Sequence, residues 1–242
     1  MKKGDARRDE LIATAERLFY TKGYEKTSVQ DILTEMNYSK GGFYHHFDSK
    51  LSVLEAICER RARENCDRAR ESVSREGRSA CATLNALFHS AALWQSDNPG
   101  FVALLIQVAY RQDGALMREK MEQCQRALVQ EVLEGVLREG VATKEFFLQD
   151  VAASASVVLR LYMQFADEIA FLLALEDSEE RMIDAMLSSL RAYRMAIERI
   201  LLAPFGSIVL FEAKELQLLG QSVLRERIRH RADALLSGKV AE

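Results

Sequence analysis

Residues 27–50 constrain the fold more than any other part of the sequence, because they carry start and stop signals for two short helices in close succession. Thr27 is the expected N-cap of the first helix, whose apolar positions have helical spacing: Val29, Ile32, Leu33 and Met36. Asn37 follows, and asparagine tolerates the left-handed backbone that a tight turn between helices requires. Ser39 can then cap the second helix. Two short helices joined by a sharp turn predict a helix-turn-helix arrangement.

The second helix of this pair has an inward and an outward face. Phe43 and Phe47 lie at i, i+4, so both rings point to the same side and can anchor the helix on a core. Lys40, Tyr44 and His45 can then point outward. This division favours a helix that presents polar and aromatic side chains to a partner, although tyrosine and histidine that merely face solvent are the alternative.

Two glycines begin the same helix. Gly41 and Gly42 each weaken a helix by roughly 1 kcal/mol relative to alanine, which favours a backbone that must lie close to a large neighbour. DNA phosphates fit this requirement, since the free N–H groups and the dipole at a helix N-terminus both favour anions. The residue pattern therefore favours a DNA-binding helix over a plain helical hairpin.

The chain resembles the tetracycline-repressor (TetR) family of bacterial regulators in the run S-K-G-G-F-Y-H-H-F-D-S-K-L-S-V-L, which begins at Ser39. The resemblance extends back without gaps and covers about the first fifth of the chain, through Ile12, Ala13, Ala15, Leu18, Phe19, Gly23, Tyr24, Thr27 and Ile32. It implies an all-helical dimer whose three-helix N-terminal domain binds a palindromic operator. It also implies a larger helical domain that usually binds a small effector.

Three positions depart from the family pattern. Asn37 stands where the family usually has Gly, Gly42 where Thr, Ser or Ala is common, and Leu51 where Glu is common. The departure at position 42 bears on function, because a side chain that could touch a base edge is absent there.

The predicted DNA-binding residues lie between the first cap and the start of the third helix; they are Thr27, Ser28, Ser39, Lys40, Gly41, Gly42, Tyr44, His45 and Lys50. We expect Lys40 and Tyr44 to contact bases or to lie near them. Phosphate contacts are expected from Thr27, Ser39, His45 and Lys50. The two recognition helices of a dimer would enter successive major grooves, about 34–36 Å apart.

Composition supports an all-α fold. The chain is 48% hydrophobic and 29% charged, as in folded globular proteins, and it has only 2 Pro and 12 Gly among long apolar-periodic runs. We expect residues 1–50 to form a three-helix helix-turn-helix DNA-binding domain. Residues 51–242 are expected to form a larger helical domain for ligand binding and dimerisation.

Breaks in the apolar pattern predict the helix bounds. The first helix is expected over residues 5–21 with Gly23 as its stop, and Asp48–Ser49 cap a long helix that ends near Gly77. Later helices are expected at 79–97, at 101–110, from 115 to about 140, at 144–175 and at 178–202. A last helical segment is expected after Gly206 and runs to about residue 237. Their expected signals are Thr143 as cap of 144–175 and Asp177 with Glu180 as capping box of 178–202. The last helix is expected to be interrupted or kinked near Gly220.

Helices 144–175 and 178–202 are predicted to form the interface of a homodimer. Both carry apolar residues on more than one face, and they contain small residues that allow close approach: Ala152, Ser156, Ser188 and Ser189. A helix with two apolar faces needs two partners, and the family resemblance implies that these helices meet in a dimer. An ordinary buried helix pair within a monomer is the alternative.

A small-molecule site is predicted in the larger domain, with a hydrophobic or amphipathic effector as its ligand. The candidate ligand-binding residues are His89, Trp94, Gln107, Tyr110, Met121, Arg160, Tyr162 and Met163, and further apolar lining is expected from Leu104, Val108 and Phe147. Arg160 lies within an apolar helix and needs a partner, either Asp167 or Glu168 or an anionic ligand. A regulator with no small-molecule effector is the alternative.

Charge is distributed unevenly along the chain. The formal net charge is −3, yet residues 1–50 hold nine Lys/Arg and eight Asp/Glu, while the remainder holds 24 and 28. The N-terminal part is thus slightly basic, and local placement matters more than the total. Lys2, Lys3, Arg7 and Arg8 could form an arm that reaches the minor groove, or simply a solvated terminus.

Several other function classes find no support in the sequence. The motifs of serine hydrolases, phosphate-binding loops, zinc proteases and dinucleotide-binding enzymes are missing, so an enzyme is not expected. The four cysteines, Cys58, Cys66, Cys81 and Cys124, lack C-x-x-C spacing, which disfavours a zinc site. We expect no cofactor, no signal peptide, no membrane span and a cytoplasmic location.

Overall fold

The computed structural model describes residues 3–74, 77–97, 102, 104, 108, 115–176 and 178–236. No strand occurs among these residues, which confirms the predicted all-α class. The helices with described bounds are α1 (Lys3–Lys22), α2 (Val29–Glu35), α3 (Lys40–Tyr44), α4 (Lys50–Val73), α5 (Ala80–Asp97), α6 (Ala115–Ala142), α7 (Val151–Leu175), α8 (Glu179–Leu201) and α9 (Ala213–Leu236).

A small core holds α1, α2, α3 and the first half of α4 together. Its buried side chains come from every one of these helices and include Leu11, Phe19, Ile32, Phe43, Leu54 and Ile57. Gly23 ends α1 with φ of 89°, as predicted, because an L side chain rarely adopts this left-handed backbone. The core fixes the angle at which α3 is presented to solvent.

Two residues from outside the N-terminal helices complete this small core. Leu104 is 2% exposed and belongs to the same buried cluster, and Val108 packs against it. Both were expected to line a ligand cavity in the larger domain. For Leu104 this expectation is wrong, because its side chain is enclosed among core residues of the N-terminal helices.

α4 connects the small core to the larger one. Its first half, up to Cys58, is buried in the small core, whereas Ala69 near its other end belongs to the large core. The second half packs against α5 and α6, and the Cys66 thiol donates to the carbonyl oxygen of Leu128 in α6 at 3.1 Å. The helix therefore spans both cores without interruption.

A buried carboxylate joins α1 to α4 at the point where α4 leaves the small core. Glu16 is 5% exposed, and its Oε1 accepts hydrogen bonds from the Tyr20 hydroxyl at 2.6 Å and from Arg61 Nε at 2.7 Å. Its other oxygen accepts from Arg60. Burial, together with the neighbouring carboxylate, raises the pKa of Tyr20 well above its usual value.

The large core is formed by α5–α9 and the second half of α4. Two of these helices, α7 and α8, begin with other cap residues than the sequence pattern predicts. Thr143 does not cap α7, because Lys144 has φ of 62° and residues 144–150 form a loop; Asp150 is the cap and accepts from Ala153 N at 2.9 Å. Ser178 caps α8. Asp177 lies outside the described residues.

Two glycines allow close packing in this core. A Cβ at Gly140 would lie 2.1 Å from the ring of Phe146, so the loop before α7 can close only on a glycine. Of the two features expected near Gly220, the interruption is wrong, since α9 continues through this residue. A Cβ there would meet the Met182 side chain at 3.2 Å, which explains the glycine by contact between α9 and α8.

Candidate nucleic-acid interface

Ser28, not Thr27, caps α2. The Ser28 hydroxyl accepts from Asp31 N at 3.1 Å, and the Asp31 carboxylate accepts from Ser28 N at 2.7 Å, which completes a capping box. Lys22 pairs with Asp31 at 2.7 Å, and this pairing with the Ser28 donors holds the pKa of Asp31 well below its usual value. Thr27 is 1% exposed and donates to Gly23 O at 2.8 Å, so the expectation that it caps α2 is wrong. Its hydroxyl faces carbonyl oxygens at the end of α1 and beyond it, with Leu18 O at 3.4 Å and Gly23 O at 2.8 Å.

The turn between α2 and α3 forms as predicted. Asn37 has φ of 48°, which lies in the left-handed region that asparagine tolerates. The N–H of Tyr38 donates to Leu33 O at 2.9 Å and closes the end of α2. Ser39 then caps α3 and accepts from Gly42 N at 3.1 Å.

α3 has the two faces that the spacing predicts. Phe43 and Phe47 are buried in the small core, with ring centroids 6.0 Å apart. Tyr44 is 53% exposed, and its ring meets Phe43 edge-on at 5.3 Å. Lys40, Gly41 and His45 are exposed as well. The structure thus places the side chains of this part of the predicted DNA-binding set together on one outward surface.

The two glycines of α3 have different surroundings. A Cβ at Gly41 would meet nothing within 4 Å, so no neighbour in the described structure explains this glycine, and the approach of a large partner to it stays a prediction. A Cβ at Gly42 would lie 2.5 Å from the Tyr38 ring. The large neighbour that requires Gly42 is therefore Tyr38 of the same chain, and DNA is not needed to explain this glycine.

Lys50 lies at the start of α4 and is bound internally. Its Nζ donates to Tyr24 O at 2.8 Å and lies 4.1 Å from the centroid of the Tyr24 ring. Burial raises the pKa of the Tyr24 hydroxyl to about 12. The ammonium still has two further donors, so the predicted phosphate contact stays a prediction.

The basic residues near the N-terminus belong to a helix and not to an arm. α1 already begins at Lys3, so Arg7 and Arg8 are helical, and Lys2 lies outside the described residues. Arg7 pairs with Glu10 at 2.5 Å and stacks over Tyr38, and Arg8 stacks over Phe47. Arg7 of α1 thus lies against the turn before α3, and Arg8 lies against a residue just after α3.

The predicted ligand-binding residues are not assembled in one described cavity. Tyr162 stacks on Phe88 with centroids 5.0 Å apart, and Met163 is buried in the large core. Arg160 is exposed, so it needs no buried partner, and the expectation of one is wrong. His89 Nδ1 lies 3.8 Å from a carboxylate oxygen of Glu215.

Four further members of the predicted ligand-binding set lie outside the described residues or have side chains that do, and one predicted lining residue is exposed. Gln107 and Tyr110 lie outside the described residues, as do the side chains of Trp94 and Met121. Phe147 is 60% exposed, which contradicts its expected role in an apolar lining. An open groove of about 530 Å³ does lie between α6 and α7, but none of the predicted residues line it. Its lining residues are Gln123, Arg126, Ala127, Gln130, Glu131, Glu134 and Ser156.

Neither metal ligation nor membrane insertion is indicated in the part of the chain that the structure describes. No group of three or more His, Cys, Asp and Glu side chains is arranged there to hold a metal ion. Within the same residues, no helix has both the length and the apolar character needed to cross a bilayer. Among these described residues Cys58, Cys66 and Cys81 form no disulfide bond, and burial raises the pKa of the Cys66 and Cys81 thiols.

Residues 11–57 match the model of a known family, "Bacterial regulatory proteins, tetR family". The same part of the chain is 43% identical over 53 residues to the uncharacterised HTH-type transcriptional regulator YerO of Bacillus subtilis, covering 22% of this chain and 18% of YerO. It is 44% identical over 48 residues to IcaR of Staphylococcus aureus, the HTH-type negative transcriptional regulator of the biofilm operon icaADBC. This match covers 20% of this chain and 26% of IcaR. The matched segment thus spans less than a third of either relative.

Solved structures resemble the chain over most of its length. A transcriptional regulator from Cytophaga hutchinsonii has a TM-score of 0.58 at 19% identity, covering 79% of this chain and 96% of that one. Thermus thermophilus FadR, a TetR family transcriptional repressor solved with lauroyl-CoA, has a TM-score of 0.56 at 16% identity, covering 77% and 92%. At these identities the likeness concerns the fold.

Proposed function

We propose that this chain, whose residues 11–57 match the model of the TetR family, is a DNA-binding transcriptional regulator that represses as a homodimer on a palindromic operator. Release from the operator would follow binding of a small hydrophobic or amphipathic effector in the larger domain. The single observation that carries DNA binding is the outward surface of α3.

This surface combines rigid support with exposed groups suited to DNA. Buried Phe43 and Phe47 fix α3 on the small core, so that Lys40, Tyr44 and His45 are held in place without being buried themselves. Helix-turn-helix proteins insert such a helix into the major groove with its N-terminal residues at base edges. We infer base or near-base contacts for Lys40 and Tyr44. Phosphate contacts would come from Ser28, Ser39, His45 and Lys50.

Dimerisation through α7 and α8 is supported by what these helices expose. α7 exposes Val157, Phe171 and Leu175, although its other face is buried in the large core. Exposed apolar side chains on one helix are typical of an interface. α8 exposes mainly charged residues, with Ser188 and Ala192 small and exposed at i, i+4. We therefore infer that α7 supplies the apolar part of the interface, and that α8 supplies small residues that allow the helices of the two protomers to approach closely.

The effector is the part of the proposal that depends most on relatives. The Thermus thermophilus FadR structure contains lauroyl-CoA, and a similar acyl ligand would satisfy the expectation of an amphipathic effector. The second candidate is a regulator without a small-molecule effector. It is favoured by the packing of Tyr162 on Phe88 and the burial of Met163, which fill the described interior at two predicted ligand positions.

Selection of bound fragments from random double-stranded DNA tests the proposal. We expect a palindromic sequence to be enriched, and affinity for it to fall steeply with added salt because phosphate contacts release counterions. Failure of the intact protein to enrich any sequence, with and without acyl-CoA present, would contradict DNA binding. A change in affinity on adding lauroyl-CoA would separate the effector-controlled regulator from the second candidate.

A substitution on α3 then tests the surface itself. Tyr44→Ala should weaken operator binding about tenfold or more, while circular dichroism and the dimer remain unchanged, because the side chain is mostly outside the core. Phe205→Ala is the matched control, since it removes another exposed aromatic ring, 77% exposed, that lies beyond α8. Equal affinities of the two variants would rule out this surface.

A further inference from the structure

Position 42 lies on the outward half of α3, yet it has no side chain. Phe43 and Phe47 mark the inward direction of the helix, and position 42 is adjacent to exposed His45 at i, i+3. A residue with a side chain at position 42 would therefore be presented to the same partner as Tyr44 and His45. In this chain that space is filled from another position.

The phenol of Tyr38 occupies the space that a side chain of residue 42 would need. An ideal Cβ on Gly42 would lie 2.5 Å from Tyr38 Cζ and 2.7 Å from its hydroxyl oxygen. The end of the ring that bears the hydroxyl is thus the part that lies over the first turn of α3. Tyr38 is only half-buried, with its ring packed on the edge of the small core.

The ring of Tyr38 is held in position by its neighbours, whereas its hydroxyl remains available to a binding partner. The guanidinium of Arg7 lies over the ring at 5.8 Å, and the left-handed Asn37 fixes the backbone immediately before it. Within the part of the chain that the structure describes, the Tyr38 hydroxyl makes no hydrogen bond to another residue. A phenol can both donate and accept a hydrogen bond, and base edges in the major groove present donors and acceptors in a pattern that differs between base pairs.

On the premise of the proposed DNA binding, we propose that Tyr38 contacts a base edge in place of the missing side chain at position 42 and determines sequence preference at that base pair. The contacting group is carried by the turn before the recognition helix and not by the helix itself. Gly42 and Tyr38 act together, because only glycine at position 42 leaves room for the ring.

Tyr38→Phe is the direct test, since it removes the hydroxyl and keeps the ring over Gly42. Wild type and variant are each subjected to selection from random double-stranded DNA, and affinities are measured on the wild-type sequence and on its single-base changes. We expect the variant to lose preference at one base pair of each half-site, with affinity for the wild-type sequence lower by about threefold to tenfold. Preference elsewhere in the site should not change.

A matched control and a second variant keep the outcomes distinct. Tyr24→Phe removes the hydroxyl of another half-buried tyrosine in the N-terminal part of the chain, keeps its ring beneath Lys50, and should leave the selected sequence unchanged. The double change Tyr38→Ala with Gly42→Thr returns a polar side chain to position 42 itself, and we expect it to bind DNA with a different preference at the same base pair. Unchanged preference in Tyr38→Phe, or an equal loss over all sequences as from a phosphate contact, would overturn the inference. Absence of DNA binding by the wild type would instead overturn the proposed function.

Discussion

Removal of the Glu16 carboxylate should loosen the N-terminal helices more than any single surface substitution in α1. Glu16→Ala deletes the common acceptor of Tyr20, Arg60 and Arg61, and thereby separates α1 from the middle of α4. α1 would still be held by its apolar contacts in the small core. We therefore expect a folded protein in which the N-terminal helices open more often.

The loss of stability in Glu16→Ala depends on how well each hydrogen-bond donor can be hydrated once the carboxylate is gone. A fully buried ion pair that loses one partner costs about 3–5 kcal/mol, but the side chains of Arg60 and Arg61 are 31% and 21% exposed and can rehydrate in part. We assign about 1 kcal/mol to each arginine and about 1 kcal/mol to the Tyr20 hydroxyl that loses its acceptor. Together they give about 3 kcal/mol, equivalent to roughly a hundredfold increase in local opening.

Native-state hydrogen exchange measures this opening helix by helix. Amides of α1 should exchange faster by about two orders of magnitude in Glu16→Ala, whereas amides of α8 should be unaffected. Glu10→Ala is the matched control, since Glu10 is an exposed glutamate of the same helix whose pair with Arg7 is worth about 0–1 kcal/mol. If both variants changed α1 exchange to the same degree, the buried carboxylate would not have the role described above.

Three further expectations concern the larger domain. Phe171→Asp should convert the dimer to monomer in analytical ultracentrifugation, and Leu218→Asp, also 52% exposed but on α9, should not; a dimeric Phe171→Asp would exclude α7 from the interface. Gly140→Ala should lower the free energy of unfolding by about 1–3 kcal/mol through collision with the Phe146 ring; Gly135→Ala, in the same helix with open space around it, should be neutral or stabilising, and equal urea midpoints would contradict this. Burial opposes ionisation of Glu145, but the N–H groups of Cys81 and Ala80 lower the pKa of its carboxyl overall; this stabilisation is present above the unfolded value of about 4 and is lost as pH falls below it, so the stability difference between wild type and Glu145→Gln should shrink between pH 6 and pH 3.5 in urea titrations.

The sequence sufficed for the features that depend on near neighbours along the chain. The turn at Asn37, the cap at Ser39 and the buried Phe43 and Phe47 follow from residue type and spacing, because each is decided within one or two helical turns. The cap of α2 could have been predicted correctly as well. Two adjacent hydroxyl residues compete there, and the S-x-x-D spacing of Ser28 and Asp31 distinguishes between them, since only Ser28 has a reciprocal partner.

Features that depend on distant contacts were beyond the sequence pattern. Glu145 accepts from the first N–H groups of α5, some sixty-five positions earlier, so nothing near Thr143 indicates that a loop replaces the expected helix start. Arg160 lies in an apolar helix, but periodicity does not show which side of that helix faces solvent. The ring over Gly42 likewise depends on how Tyr38 folds back over α3, which residue spacing does not fix.

Leu104 has a consequence for the exchange of parts between regulators. The N-terminal helices match relatives as a contiguous segment, which suggests a cassette that could be cut at its end and fused to another sensor. Burial of Leu104 in the small core means that such a chimera would leave an opening beside α4 and forfeit about 1.5–3 kcal/mol of apolar burial. A functional chimera must therefore fill the position of Leu104 in the small core. Either the recipient protein provides an apolar side chain there, or the exchanged segment includes Leu104 itself.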